Sequence, residues 1–171
     1  SDTVVVTIMS NMGMDIAARR EGLRLVKTAV GDRYVLEKMR ADGYNFGGEQ
    51  SGHMIFLDHN TTGDGLVSAL QLCGVIRRSG KSLRELSRVM HVLPQVLVNA
   101  RIDSEKRIYA EDPVVAEEIR RLEKKYDGAG RVLIRLSGTE PLVRVMLEGE
   151  DLADMKRDAQ ALADLMCERL V

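Results

Sequence analysis

Two short segments hold residue types that could do chemistry. The first, Gly48 to His53 (GEQSGH), sets Glu49 and Ser51 two residues apart among glycines. In an extended backbone that spacing aims both side chains the same way. A carboxylate beside a hydroxyl suits the vicinal hydroxyls of a sugar, because each of those must both donate and accept a hydrogen bond. The pattern also fits a glycine-rich turn with solvated polar residues, and His53, alone before an apolar run, fits a structural role equally well. The second segment, Arg135 to Pro141 (RLSGTEP), offers a permanently charged planar fork at Arg135 that matches two phosphate oxygens. Ser137 and Thr139 add hydroxyl donors, Gly138 lets successive N–H groups converge on an anion, and Arg144 further along reinforces the positive end. Glu140 opposes an anion unless it points away or orients Arg135. A Ser-Gly hairpin turn with incidental charge fits the same residues. A nucleotide P-loop does not, since no Gly-Lys-Ser/Thr and no following helix is present.

Positioning these loops requires two differently organised layers. Before residue 90, short β-branched runs alternate with helical periods. Thr3 to Met9 and Leu23 to Val30 read as strands, and Met14 to Glu21 as a helix. Asp32 is expected to cap a helix ending at Gly43. Asn45 to Asp58 reads as a loop feeding a strand at Met54 to Leu57. Asp64 to Arg78 carries Leu66, Leu70, Cys73 and Val75–Ile76 on one broad face and reads as a helix, and Ser82 with Glu85 reads as a capping box. That alternation predicts an α/β layer. From residue 96 the pattern becomes β-α-β-β-α. Val96, Val98, Ala100 and Ile102 alternate, Asp112-Pro113 opens a helix, Gly130 to Leu136 and Leu142 to Leu147 are strands, and Asp151 to Leu170 is a long amphipathic helix. We expect domains at 1–90 and 96–171, joined by a linker at 91–95 that acts as a hinge.

Composition excludes several classes. Lys plus Arg total 25 against 26 Asp plus Glu, so no global field draws nucleic acid or an anionic membrane. No apolar run approaches a bilayer span, and the first residues carry no basic segment of a signal peptide. Cys73 and Cys167 make no disulfide framework, which points to a reducing, cytoplasmic setting. A hydroxyl-reading loop and a phosphate-reading loop on successive domains suggest a phosphorylated sugar held between them.

Five segments in order, VGDRYVLEKM (Val30 to Met39), GEQSGH, TTGDGLVSALQL (Thr61 to Leu72), PQVLVN (Pro94 to Asn99) and SGTEPLVRVM (Ser137 to Met146), carry a family resemblance. The sequence resembles the four-domain α-D-phosphohexomutases, most closely their bacterial phosphoglucosamine mutase branch. The resemblance implies an incomplete α/β third domain followed by a small, complete α+β C-terminal domain. It implies interconversion of glucosamine 6-phosphate and glucosamine 1-phosphate, through a phosphoserine and a bisphosphate, with Mg²⁺ on an Asp-rich loop of the second domain. By carry-over Glu49 and Ser51 bind sugar hydroxyls, and Arg135, Ser137, Gly138 and Thr139 clamp the non-reacting phosphate. His53 and Gly31-Asp32-Arg33 line the same cleft. Asp32 stands where phosphomannomutase relatives carry His, and Leu136 where many members carry Pro. No Ser-His-Asn-Pro-like nucleophile loop and no Asp-x-Asp-x-Asp run occurs. The chain is therefore expected to lack catalytic and metal residues, to be inactive alone, to need N-terminal domains 1 and 2, and to leave apolar surface that a homodimer would cover. A glucose- or mannose-phosphate mutase, or a free-standing phosphosugar-binding module, are the competing readings.

Overall fold

The computed structural model describes residues 2–102, 109–137 and 140–170. The chain divides into two compact units, Ser1–Val92 and Leu93–Val171.

The first unit begins with β1 (Thr3–Thr7), α1 (Met12–Arg20) and β2 (Arg24–Thr28). It continues with α2 (Asp32–Asp42), β3 (Phe46–Gly48), β4 (Met54–Phe56), α3 (Gly65–Ser79) and the single turn α4 (Leu83–Leu86). The sheet order is β2-β1-β3-β4, with β1 parallel to β2 and β3, and β4 antiparallel to β3. The chain steps from β1 to β2 in one direction and from β2 to β3 in the other. Right-handed crossovers then put α1 and α2 on opposite faces of the sheet. The side chains agree: Val5 packs with Val35 and Met39 of α2, while Val4 and Val6 line a groove with Met14 of α1.

Two expectations in this unit need correction. Asp32 is not the cap of α2; Gly31 occupies that position at φ 129°, and Asp32 is the first helical residue, accepting a bond from the Arg33 N–H. The glycine-rich segment is also not a loop feeding one strand. Phe46–Gly48 is itself a strand, paired residue for residue with Met54–Phe56, so the GEQSGH segment caps a hairpin. A third departure concerns α3. Leu66 and Leu70 are 71% and 62% exposed, Cys73 is also exposed, and only Ser68 is buried. The apolar stripe exists, but no described element of this unit covers it.

The second unit runs β5 (Gln95–Arg101), a 3₁₀ turn at Tyr109–Glu111, α5 (Pro113–Tyr126), β6 (Arg131–Leu136), β7 (Leu142–Glu148) and α6 (Leu152–Arg169). This is the β-α-β-β-α order read from the sequence. The sheet is antiparallel, in the order β5-β7-β6. Val96, Ala100, Val143, Val145 and Leu147 face Val115, Leu122, Met155, Leu162 and Met166 of the two helices, and all ten are buried. Leu152, expected in the same register, is 41% exposed because it opens α6, a turn before the first residue that reaches the sheet. Period-2 alternation sends the other set, Leu97, Asn99, Arg135 and Arg144 among them, to the opposite sheet face.

Candidate functional site

Parallel strands end at one edge, and the loops beyond those carboxyl ends are where open α/β sheets bind ligands. The GEQSGH hairpin follows β3 at that edge, and Gly31–Arg33 follows β2. The hairpin is built tightly. Glu49 N–H donates to the His53 carbonyl at 3.0 Å, and Gly52 N–H to the Glu49 carbonyl at 3.1 Å. Gly52 adopts φ 100°, and a Cβ on Gly48 would stand 2.5 Å from the His53 carbonyl oxygen, so neither position accepts a side chain without strain. Thr7 at the end of β1 donates to Gln50 Oε1 at 3.2 Å, which ties the turn to the sheet.

This frame brings Glu49, Ser51 and His53 together, although by a turn rather than by strand alternation. Ser51 Oγ donates to Glu49 Oε1 at 2.7 Å and lies 3.0 Å from His53 Nδ1. A hydroxyl has one proton, and the carboxylate takes it. The short contact to His53 then fits the tautomer with the proton on Nδ1, in which Nε2 is an acceptor. Glu49 is the fixed member, its side chain 11% exposed, and His53 the open one at 57%. A hollow of about 330 Å³ lies beside them, lined by Ser51, Gly52, His53, Gly63, Asp64 and Gly65.

Asp64 enters the sequence reading as the first residue of the helical segment to Arg78, not as a site residue. Its carboxylate has structural duties. Oδ1 accepts from the N–H groups of Leu66 and Val67, and Oδ2 from Asn60. The Val67 N–H above all, against a smaller opposing effect of desolvation, holds the group below the usual carboxylate range. It is therefore a charged wall of the hollow with few lone pairs left to offer. Gly31–Arg33 lies two strand positions from the hairpin, about 10 Å by strand spacing. Arg33 is engaged with Glu37 at 2.7 Å. Among the described residues none of the three hydrogen-bonds to Glu49, Ser51 or His53, so the structure does not bring these two sets together. On the sheet face behind the hairpin, Val4, Val6, Met14, Phe46, Met54 and Met90 line an apolar groove of about 250 Å³.

In the second unit, Arg135 of β6 stands directly opposite Arg144 of β7. Both Nε atoms are buried and lack a hydrogen-bond partner among the described residues. Burial first, and then the charge of Arg144, push the Arg135 guanidinium below its ordinary pKa. Ser137 is buried, and its Oγ accepts from the Glu140 N–H at 3.2 Å. Its own proton is thus directed elsewhere. Glu140 does not reach Arg135; its carboxylate lies 3.9 Å from Arg144 and is 59% exposed. Gly138 and Thr139 lie outside the described residues. Among the described residues no three His, Cys, Asp or Glu side chains are grouped to hold a metal ion, and no helix is long and apolar enough to cross a membrane.

Comparison with known proteins covers both units. The family described as phosphoglucomutase/phosphomannomutase, alpha/beta/alpha domain III, matches residues 1–93, and the C-terminal domain of the same family matches residues 97–165. A phosphoglucosamine mutase of Caldicellulosiruptor bescii is 57% identical over 170 residues, covering 99% of this chain and 38% of that protein. One from Clostridium perfringens is 60% identical over 166 residues, covering 96% of this chain and 37% of that protein. The chain thus spans less than two fifths of the length of these curated relatives. Among solved structures, Aspergillus fumigatus N-acetylphosphoglucosamine mutase in complex with GlcNAc-6P and magnesium superposes with a TM-score of 0.77 at 20% identity, over 99% of this chain and 39% of that one. At that identity the likeness speaks for the fold.

Proposed function

The chain belongs to the phosphoglucomutase/phosphomannomutase family, and from that membership we propose that it is the substrate-holding part of a phosphoglucosamine mutase. In this reading the protein interconverts glucosamine 6-phosphate and glucosamine 1-phosphate, and this chain grips both ends of the sugar phosphate. Arg135, Ser137, Gly138, Thr139 and Arg144 hold the phosphate that does not react. Glu49 accepts from a ring hydroxyl while Ser51 and His53 Nε2 satisfy its neighbour, and Gly31, Asp32 and Arg33 border the same edge of the sheet. The observation that carries the reading is the facing pair Arg135 and Arg144, whose buried Nε–H donors have no hydrogen-bond partner among the described residues. Buried donors left unpaired are unfavourable, and a phosphate satisfies both with charge-assisted bonds.

The phosphoryl-donating serine and the Mg²⁺ belong, in this proposal, to N-terminal domains in the remaining three fifths of the longer protein. There Mg²⁺ would supply neutralisation of charge during phosphoryl transfer. Among the described residues of this chain no three His, Cys, Asp or Glu side chains are grouped to hold it. What this chain contributes is orientation: the phosphate is fixed so that the opposite end of the sugar is presented to the donor. The names of the relatives at 57–60% identity support glucosamine as the sugar. The test is a comparison of turnover by the full-length protein on glucosamine 6-phosphate, glucose 6-phosphate and mannose 6-phosphate. The highest kcat/KM is expected for glucosamine 6-phosphate. A higher value for either neutral sugar would overturn the assignment.

A further inference from the structure

Two arginines directly opposite on neighbouring antiparallel strands repel each other. The groups around them do little to relieve this. On β5, Asn99 completes the row and is neutral, and Arg101, one row nearer the turn, is positive. On β6 and β7, Arg131 and Glu148 lie two rows away and are spent on each other, with Gln95 also on Glu148. In the turn, Glu140 is the one carboxylate among the described residues that comes near the pair. It touches only Arg144, at 3.9 Å, and from solvent. The α5 and α6 helices pack on the other sheet face. Among the described residues the row therefore presents two permanent charges and one distant, screened counter-charge.

Resting on the phosphate reading above, we propose that the Arg135–Arg144 pair selects the dianion of a phosphomonoester and rejects singly charged esters of the same shape. A monoanion leaves one guanidinium uncompensated, with its buried Nε–H still unpaired, whereas a dianion neutralises both and supplies acceptors to both. Arg144 is then a specificity residue rather than a general electrostatic support. Its neighbour Glu140 is a counter-ion that a bound ligand displaces. The second ionisation of a phosphomonoester falls at about pH 6, so the dianion is roughly a tenth of the ester at pH 5 and nearly all of it at pH 7.5.

Calorimetric titration of the full-length protein with glucose 6-phosphate and glucose 6-sulfate, at pH 5 and pH 7.5, tests this. The sulfate ester keeps one charge throughout and carries the same sugar. Any effect of His53 or another histidine therefore enters both titrations and cancels in their ratio. The phosphate ester is expected to gain roughly tenfold in affinity across the range, and to bind at least roughly tenfold more tightly than the sulfate ester at pH 7.5. Arg144→Gln should flatten the rise and bring the two esters together, whereas Arg144→Lys, which keeps the charge, should retain part of it. Equal binding of the two esters, or a phosphate affinity independent of pH, overturns dianion selection while the phosphate clamp stands. Failure of both esters to bind the natural protein overturns the phosphate clamp and dianion selection together. The wild-type ratio alone decides the matter should a variant not fold.

Discussion

Replacing Glu49 with Gln isolates the sugar-reading loop with the least change of shape. The Glu49 carboxylate accepts the Ser51 proton at 2.7 Å and is nearly buried. A hydrogen bond to a charged group is worth about 1.5–3 kcal/mol net, and one between neutral groups about 0.5–1.5 kcal/mol. If the amide presents its oxygen to Ser51, a ligand hydroxyl that met the second carboxylate oxygen now meets an NH₂ donor. If it presents its nitrogen, Ser51 must turn its proton to His53 Nδ1 and the polarity of the whole network reverses. Either way about 1–1.5 kcal/mol of sugar recognition is lost. We therefore expect kcat/KM of the full-length protein for glucosamine 6-phosphate to fall roughly tenfold. Competition by inorganic phosphate, which on the proposed reading binds the second unit and not this hairpin, should not change. Because Ser51 acts through the same carboxylate, Glu49→Gln combined with Ser51→Ala should cost less than the sum of the single changes. A proportional loss of sugar and inorganic-phosphate affinity in Glu49→Gln would refute the division of labour between the loops.

Arg135→Ala should weaken binding of glucosamine, glucose and mannose phosphates alike, by at least roughly tenfold, since the lost charge-assisted bonds go to a group they share; unequal losses in competition assays would count against it. Glu148 is fully buried between Arg131 and Gln95, so Glu148→Gln should destabilise the second unit by about 3 kcal/mol or more, read as a hundredfold or greater loss of hydrogen-exchange protection in β5 and β7. Asp158 is pushed up by burial, but Lys125 and Tyr126 outweigh this and hold it below the usual aspartate range. Its stabilisation is therefore present above the unfolded pKa and lost as pH falls through the folded one. Asp158→Asn should lower the melting temperature at pH 7, with the gap closing toward pH 3; a gap independent of pH would mean that the charge is irrelevant. The 171-residue chain on its own should self-associate through the exposed Leu66–Leu70 stripe of α3, and Leu66→Glu with Leu70→Glu should return it to a monomer in sedimentation; unchanged association would remove the stripe from consideration.

The second unit was legible almost residue by residue because β5 and both helices each have one buried face. Val96 and Ala100 alternate with exposed Leu97 and Asn99, and α5 shows Val115, Leu122 and Tyr126 on one stripe. The first unit was less so. Its hairpin strands are three residues long, and two of the residues in β3 are glycine, so no period could be seen. They are strands because β1 and β4 supply partners on both sides, which is tertiary information. The stripe of α3 shows the opposite limit. Periodicity reports that a helix has an apolar face, and says nothing about whether the cover for that face is in the same segment of chain.

The candidate site divides along the same line. Glu49, Ser51 and His53 were visible as types, but their spacing suggested a shared strand face, and what unites them is a four-residue turn held by Gly52. The tautomer of His53 follows only from the Ser51 contacts. Arg135 was visible as a phosphate fork, and Arg144 only as a nearby charge, because nine residues of separation carry no geometry. The register converts that separation into direct opposition: with Leu136 paired to Val143, Arg135 must meet Arg144. One residue of slip in that register would send Arg144 to the helix-packed face, where a charge without a partner is far more costly than at the open face. The hydrophobic alternation that packs Val143, Val145 and Leu147 against α5 and α6 is thus also what aligns the two guanidiniums. On this argument the core of the second unit and the facing arginine pair proposed to hold an anion are specified by the same residues.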